Sequence, residues 1–205
     1  DLDVPDDAMR GILKYVTKAV WDLARGQQMD INNEGHIVTE EVYIETIRLK
    51  TSVLFAAAAA GGAIAGGADD RTVKAINEYA IDLGLGFQMY DDYLGVAGES
   101  SKTGKSVGND IRKGKCTVMI THAMSHIKDA RELKEFKGIL GKIDADEKEI
   151  DRALEILERA GSIKYALDLA QRRVDMAIEK IQFLPPSEEK EFMIELARFA
   201  IDRDV

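Results

Sequence analysis

The chain has 205 residues, 45% of them hydrophobic, with 28 Lys and Arg against 37 Asp and Glu, a formal charge of −9. At about 150 residues per domain this is one large domain or two small ones, with ample chain for a core. The acidic balance argues against a general nucleic-acid binder, which needs a basic face, and one cysteine excludes an internal disulfide.

The prolines are Pro5, Pro185 and Pro186, so residues 6–184 lack the strongest helix breaker. That stretch is rich in Ala, Leu, Glu, Lys, Ile and Met, and the reading is all-α. A first helix is predicted over 6–29, with Asp6 and Asp7 suited to its positive end. A turn follows at Asn32-Asn33-Glu34-Gly35. A second helix starts at Thr39, a residue suited to an N-cap. It ends at Gly61-Gly62 or at Gly66-Gly67. A third runs from Asp69-Asp70 to about Val96, and a loop rich in Gly, Ser and Lys covers 98–112. Helices are predicted over 116–127, 129–142, 146–160, 162–183 and 187–202. A strand reading of Thr-Val-Met-Ile at 117–120 has no other strand to support it. No composition break divides the chain, and no repeat of fixed period occurs.

The most apolar candidate for a membrane span, residues 53–68, is mostly Ala and Gly and too short. No signal peptide is visible, so the expected compartment is the cytoplasm. The first residue is Asp rather than Met, as in a processed, trimmed or partial chain.

Four constellations bear on chemistry. Within the third helix, Ile76, Ala80, Leu83, Phe87, Tyr90 and Leu94 form one apolar face. The same helix carries Gln88, Asp91 and Asp92, three and four residues apart and so on one side. Adjacent carboxylates in an apolar setting are costly unless they bind cations or pair with bases. Mg²⁺ takes such oxygen ligands, with substrate phosphates completing its shell. The bland alternative is two solvated acids at a helix end.

Next comes Gly104-Lys105-x-x-Gly108-x-Asp110-x-x-x-Gly114-Lys115, a cationic glycine loop able to close over a polyphosphate. Alone it reads as a polar surface loop, and it lacks P-loop spacing. Lys50-Thr51 lies among Ile47, Leu49, Val53 and Leu54, as a snorkelling lysine would or as an amine reaching into a cleft. Gly26-Gln27-x-x-Asp30 closes the first helix and places Gln27 and Asp30 on one face. His122 and His126 have i, i+4 spacing but no third ligand, which argues against zinc. Cys116 has no catalytic partner. Ala56 to Ala60 with Gly61-Gly62 offers a small-residue surface for close helix or subunit packing.

In this order, these motifs resemble the trans-type polyprenyl diphosphate synthase (polyprenyl synthetase) family. The Phe87-Gln88-Met89-Tyr90-Asp91-Asp92-Tyr93-Leu94 segment with its trailing Gly-Lys…Asp…Lys is the specific part. The other motifs, and Ser162-Ile163-Lys164-Tyr165-Ala166, support it by order. The resemblance covers essentially the whole chain, over the C-terminal part of the family pattern. It implies an all-α isoprenoid-synthase bundle around a cleft, with two aspartate-rich motifs holding Mg²⁺. It implies ionisation of an allylic diphosphate, attack by isopentenyl diphosphate and proton loss. The implied metal ligands are Asp91, Asp92, Asp110 and Asp30. Lys50, Lys105, Lys115 and Gln27 would bind diphosphate. Lys50, Thr51 and Gln88 would be catalytic, with Thr51 and Gln88 lining the cation's position. The Ala-rich helix would lie near a homodimer interface.

Two departures stand out. Gly95 occupies the place where the second motif usually has a further Asp. The first motif, Asp-Asp-x-x-Asp, occurs nowhere in the 205 residues. The expectation is therefore a C-terminal part without its N-terminal helices, inactive alone. Two other functions compete: a non-catalytic helical partner subunit, and a terpene cyclase on the same fold. The Lys105 to Lys115 pattern favours elongation over cyclisation.

Overall fold

The computed structural model describes residues 4–97 and 108–202. Among these residues the fold is helical, with no strand. The elements are α1 (Asp6–Asn33), α2 (Glu40–Ile47), a π-helical segment (Arg48–Ser52), α3 (Val53–Ala65) and α4 (Asp70–Ala97). After the undescribed stretch come α5 (Asn109–Arg112), α6 (Val118–His126), α7 (Ala130–Ile139), α8 (Glu147–Arg159), α9 (Ser162–Lys180) and α10 (Glu188–Phe199).

Helix starts follow local chemistry. Thr39 accepts the Val42 amide at 3.4 Å and begins α2. Asp69 accepts from Thr72 at 2.8 Å and begins α4. Asp129 and Ser187 cap α7 and α10 in the same way. Asp146 and Glu149 form a reciprocal capping box on α8. Each satisfies amides that a helix start leaves without partners.

α4 is the axis of the bundle. It packs along α9 and α3 and against the π segment, while α1 lies across α3 and the π segment. Tyr79, Ala80, Leu83, Leu85, Met89 and Val96 of α4 are buried. Of the apolar face expected from periodicity, Ala80 and Leu83 are buried; Ile76, Phe87, Tyr90 and Leu94 are only partly so. Polar pairs pin the packing: Arg173 of α9 donates to buried Asp82 of α4 at 3.0 Å, and the Tyr79 hydroxyl donates to the Met193 carbonyl at 2.7 Å.

The predicted second helix is not uniform. The π segment interrupts it at Lys50-Thr51, dividing α2 from α3. A π turn holds one extra residue per turn and marks functional sites more often than chance. Here two close approaches fix it. A Cβ at Gly26 of α1 would lie 2.5 Å from the Lys50 nitrogen, and one at Gly84 of α4 would lie 2.7 Å from Ser52 Cα. Any larger residue on either helix would push the turn away. The run Glu40–Ala65 is also longer and more apolar than the sequence reading allowed. By length and composition it passes as a span, but 44% of its most apolar window is buried in the bundle.

The expected loop over 98–112 is described only from Gly108, where α5 begins at once. The stretch 117–120 is helical, as expected over its strand alternative. His122 and His126 stack face to face at 3.8 Å rather than diverging as ligands, and the ring of His122 also stacks on Tyr165 at 4.2 Å.

Gly84→Ala is expected to cost about 1–3 kcal/mol by overpacking against Ser52. At Gly62 on α3 an added Cβ would meet nothing within 4 Å, and Gly62→Ala is expected to gain up to about 1 kcal/mol. Urea unfolding of both variants checks the contrast.

Candidate active site

Four elements bring the expected residues together. Gly26 allows the α1 backbone to lie against Leu49 and Lys50, and one turn later Asp30 meets the Lys50 ammonium in an ion pair. Both partners are half-buried. The next residue along the π segment, Thr51, donates its hydroxyl to Gln88 Oε1 of α4 at 2.8 Å. Gln88 Nε2 in turn donates to Asp92 Oδ1 at 3.0 Å, one helical turn on. The i, i+4 relation of Gln88 and Asp92 is thus a contact.

Asp92 is 0% exposed. Lys115 donates to its Oδ1 at 2.7 Å, and the Tyr43 hydroxyl of α2 donates to its Oδ2 at 2.8 Å. Lys115 also stands 3.8 Å from Asp110. Burial pulls the Lys115 ammonium down, and Asp92 and Asp110 more than reverse this, leaving its pKa above the ordinary value. Burial, then the charge of Asp92, pushes the Tyr43 phenol well up, so it stays a donor.

Glycine backbone geometry delivers Lys115 to this point. Gly108 and Gly114 both have positive φ, +74° and +66°, a region costly for other residues. The turn at Gly114 also returns the Lys115 amide to the Asp110 carbonyl at 3.0 Å. Gly95 has a local reason as well. A Cβ there would fall 2.4 Å from Asp110 Oδ2. The Asp110 carboxylate therefore fills the space that a side chain at 95 would take.

A cavity of about 250 Å³ opens beside these groups, lined by Gln27, Asp30, Tyr43, Asp92, Lys115 and Cys116 among others. Cys116 accepts the Val38 amide at 3.4 Å, and burial raises its thiol pKa, which fits a packing role. Lys105 lies outside the described residues. Asp91 is half-buried at the same level of α4.

Asp91, Asp92, Asp110 and Asp30 are the metal ligands that the resemblance implies. Among the described residues no three His, Cys, Asp or Glu side chains are grouped to hold a metal ion. Asp30 is engaged with Lys50 and both oxygens of Asp92 with protein donors. Mg²⁺ often takes only one or two carboxylates and lets phosphate oxygens complete its shell. Tyr43 belongs to none of the sequence motifs. Its only sequence signal was an aromatic in an acidic helix start.

A polyprenyl synthetase family model matches residues 6–157. The chain belongs to the polyprenyl synthetase family. A geranylgeranyl diphosphate synthase of Saccharolobus solfataricus is 39% identical over 184 residues, 88% of this chain and 55% of the relative. A short chain isoprenyl diphosphate synthase of Methanothermobacter thermautotrophicus is 36% identical, over 97% of this chain and 60% of the relative. The crystal structure of a geranylgeranyl pyrophosphate synthetase from Pyrococcus horikoshii superposes with a TM-score of 0.91 at 33% identity, covering 98% of this chain and 61% of that one. A polyprenyl synthase from Caulobacter crescentus, complexed with calcium and isoprenyl diphosphate, gives 0.86 at 31% identity, over 95% and 59%. The chain thus spans 55% to 61% of the length of these four. The fold is that of the all-α isoprenoid synthases.

Lys115→Met would leave the Asp92 carboxylate buried without a cation. The expected loss is about 2–4 kcal/mol, the lower part of the range for broken buried pairs, because the ammonium is partly open to water. The Lys115 pKa is raised on folding, so its stabilisation is full below the ordinary lysine value of 10.5 and fades as pH rises beyond it. Urea unfolding of wild type and variant at pH 8 and pH 11 checks both statements: the difference between them shrinks at the higher pH.

Proposed function

We propose that this chain carries the allylic-diphosphate side of a trans-prenyltransferase, which joins an allylic diphosphate to isopentenyl diphosphate and yields a longer polyprenyl diphosphate. The observation that carries the reading is the continuous line Thr51–Gln88–Asp92–Lys115, with Lys50 held beside it by Asp30. The line sets the Lys115 ammonium in the wall of the cavity, which is also lined by Asp30, the ion-pair partner of Lys50. Membership of the family and the isoprenyl diphosphate and calcium bound by the Caulobacter relative support it.

In this reading Lys50 and Lys115 neutralise the diphosphate as point charges. The same role is proposed for Lys105, which lies outside the described residues. A divalent cation of the Mg²⁺ type, when bound, adds Lewis-acid stabilisation of the leaving group. Asp91 is the carboxylate that would hold it, with Asp110, which packs against Gly95 and faces Lys115, as a second candidate. Asp92 has a different task, orienting Lys115. Thr51 and Gln88 present oxygen dipoles where positive charge develops on the allylic carbon. Gln27 lies at the cavity rim. The apolar wall from Ile31, Val38 and Ile47 limits water access.

Neither the sequence nor the described residues supply a second aspartate-rich cluster. The 205-residue chain alone is therefore expected to bind an allylic diphosphate with little or no turnover. Incubation with Mg²⁺, an allylic diphosphate and labelled isopentenyl diphosphate tests this, alongside calorimetric binding. Binding without elongation is the expected result. A cyclic hydrocarbon would establish the cyclase instead, and absence of any binding would favour the partner subunit. Asp91→Ala is expected to weaken Mg²⁺-dependent diphosphate binding at least about tenfold, the scale of one charge-assisted contact, with an unchanged melting curve. A collapsed fold that still binds metal would make Asp91 structural.

A further inference from the structure

Tyr43 is buried on α2, in the wall of the cavity, and its hydroxyl meets Asp92 Oδ2 at 2.8 Å. Among the described residues, the two other donors to this carboxylate, Gln88 and Lys115, both use Oδ1. We infer that Tyr43 is a positioning residue of the diphosphate site: its hydroxyl fixes the rotation of the Asp92 carboxylate and thereby the place of the Lys115 ammonium.

The groups around Asp92 differ in freedom. A carboxylate turns easily about its last torsion, over a broad two-fold well. Gln88 cannot follow such a turn, because its Oε1 is held by Thr51. Lys115 can, since its stem is long and its side chain is 38% exposed. Without the phenol, Oδ2 becomes a buried acceptor with no partner among the described residues, which is expensive. The cheapest repair is for the ammonium to move inward and bridge both oxygens. That draws the charge away from the cavity rim, where a diphosphate would meet it. The phenol holds it outward. Because burial and Asp92 keep Tyr43 protonated, the hydroxyl donates at any ordinary pH. A merely structural Tyr43 would instead fill core volume, as its contacts with the buried cluster around Met89 and Val96 also require; Phe would then serve equally.

This inference rests on the diphosphate reading, and two readouts on the 205-residue chain separate them. The chains compared are wild type, Tyr43→Phe, Lys115→Met and the double variant, all checked for folding by urea melts. The first readout is the Lys115 side-chain ammonium resonance in ¹⁵N-lysine-labelled protein. It is expected to shift in Tyr43→Phe while other lysines hold still. The second is calorimetric titration with inorganic pyrophosphate in Mg²⁺. Tyr43→Phe is expected to bind about tenfold more weakly, the scale of one hydrogen bond to a charged group, and to add no loss in the Lys115→Met background. An unmoved Lys115 resonance overturns the inference. So does an equal loss of affinity with and without Lys115, which a structural role would give. If the resonance moves but wild type binds no pyrophosphate, Tyr43 still positions Lys115 and the diphosphate reading is what fails.

Discussion

Asp92 is a carboxylate with no exposed surface, placed in the last turns of the bundle's central helix. Such a charge is tolerable only if it is paired and fully hydrogen-bonded. Among the described residues three donors meet this demand: Gln88 one turn back, Tyr43 from α2 and Lys115 from beyond α5. Satisfying one buried charge therefore locks α2, α4 and the segment after α5 together. It also leaves Lys115 pointing at the cavity.

The π segment is the second constraint. Gly26 and Gly84 let α1 and α4 close on it from two sides. An extra residue in the turn changes the angular order of the side chains around it, so Lys50 faces Asp30 while Thr51 faces Gln88. The two constraints meet at Gln88, which touches both Thr51 and Asp92. A change on either side is thus transmitted through one amide.

Much of the fold was readable because helix boundaries are local. Thr39, Asp69, Asp129, Asp146 and Ser187 cap amides within one turn of themselves, and all stand where the sequence places helix starts. The π segment was not readable. Arg48 to Ser52 contain ordinary helix formers, and the irregularity comes from packing against glycines far off in the sequence. In the site, Gln88 and Asp92 were legible as an i, i+4 pair. Lys115 joined them only through the motif, because a turn built on Gly114 carries it back. Tyr43 had no signal beyond being an aromatic in an acidic helix start. The burial of Asp92 also divided two adjacent aspartates that the sequence could only treat alike. Gly95, a departure from the family pattern by residue type, is the space in which Asp110 sits.

Family membership says what relatives do, and the chain matches only 55% to 61% of the length of the four relatives named above. The proposal specific to these 205 residues is narrower: that Lys50, Lys115 and Asp91 act as one receptor for a metal-bound diphosphate. A crystal structure with Mg²⁺ and inorganic pyrophosphate tests it most directly. The account predicts pyrophosphate at the cavity rim, contacting Lys50 and Lys115, with the cation on Asp91 and Asp92 still bonded to Tyr43. Pyrophosphate held elsewhere, or a cation bound by Asp92 with Lys115 displaced, would contradict it.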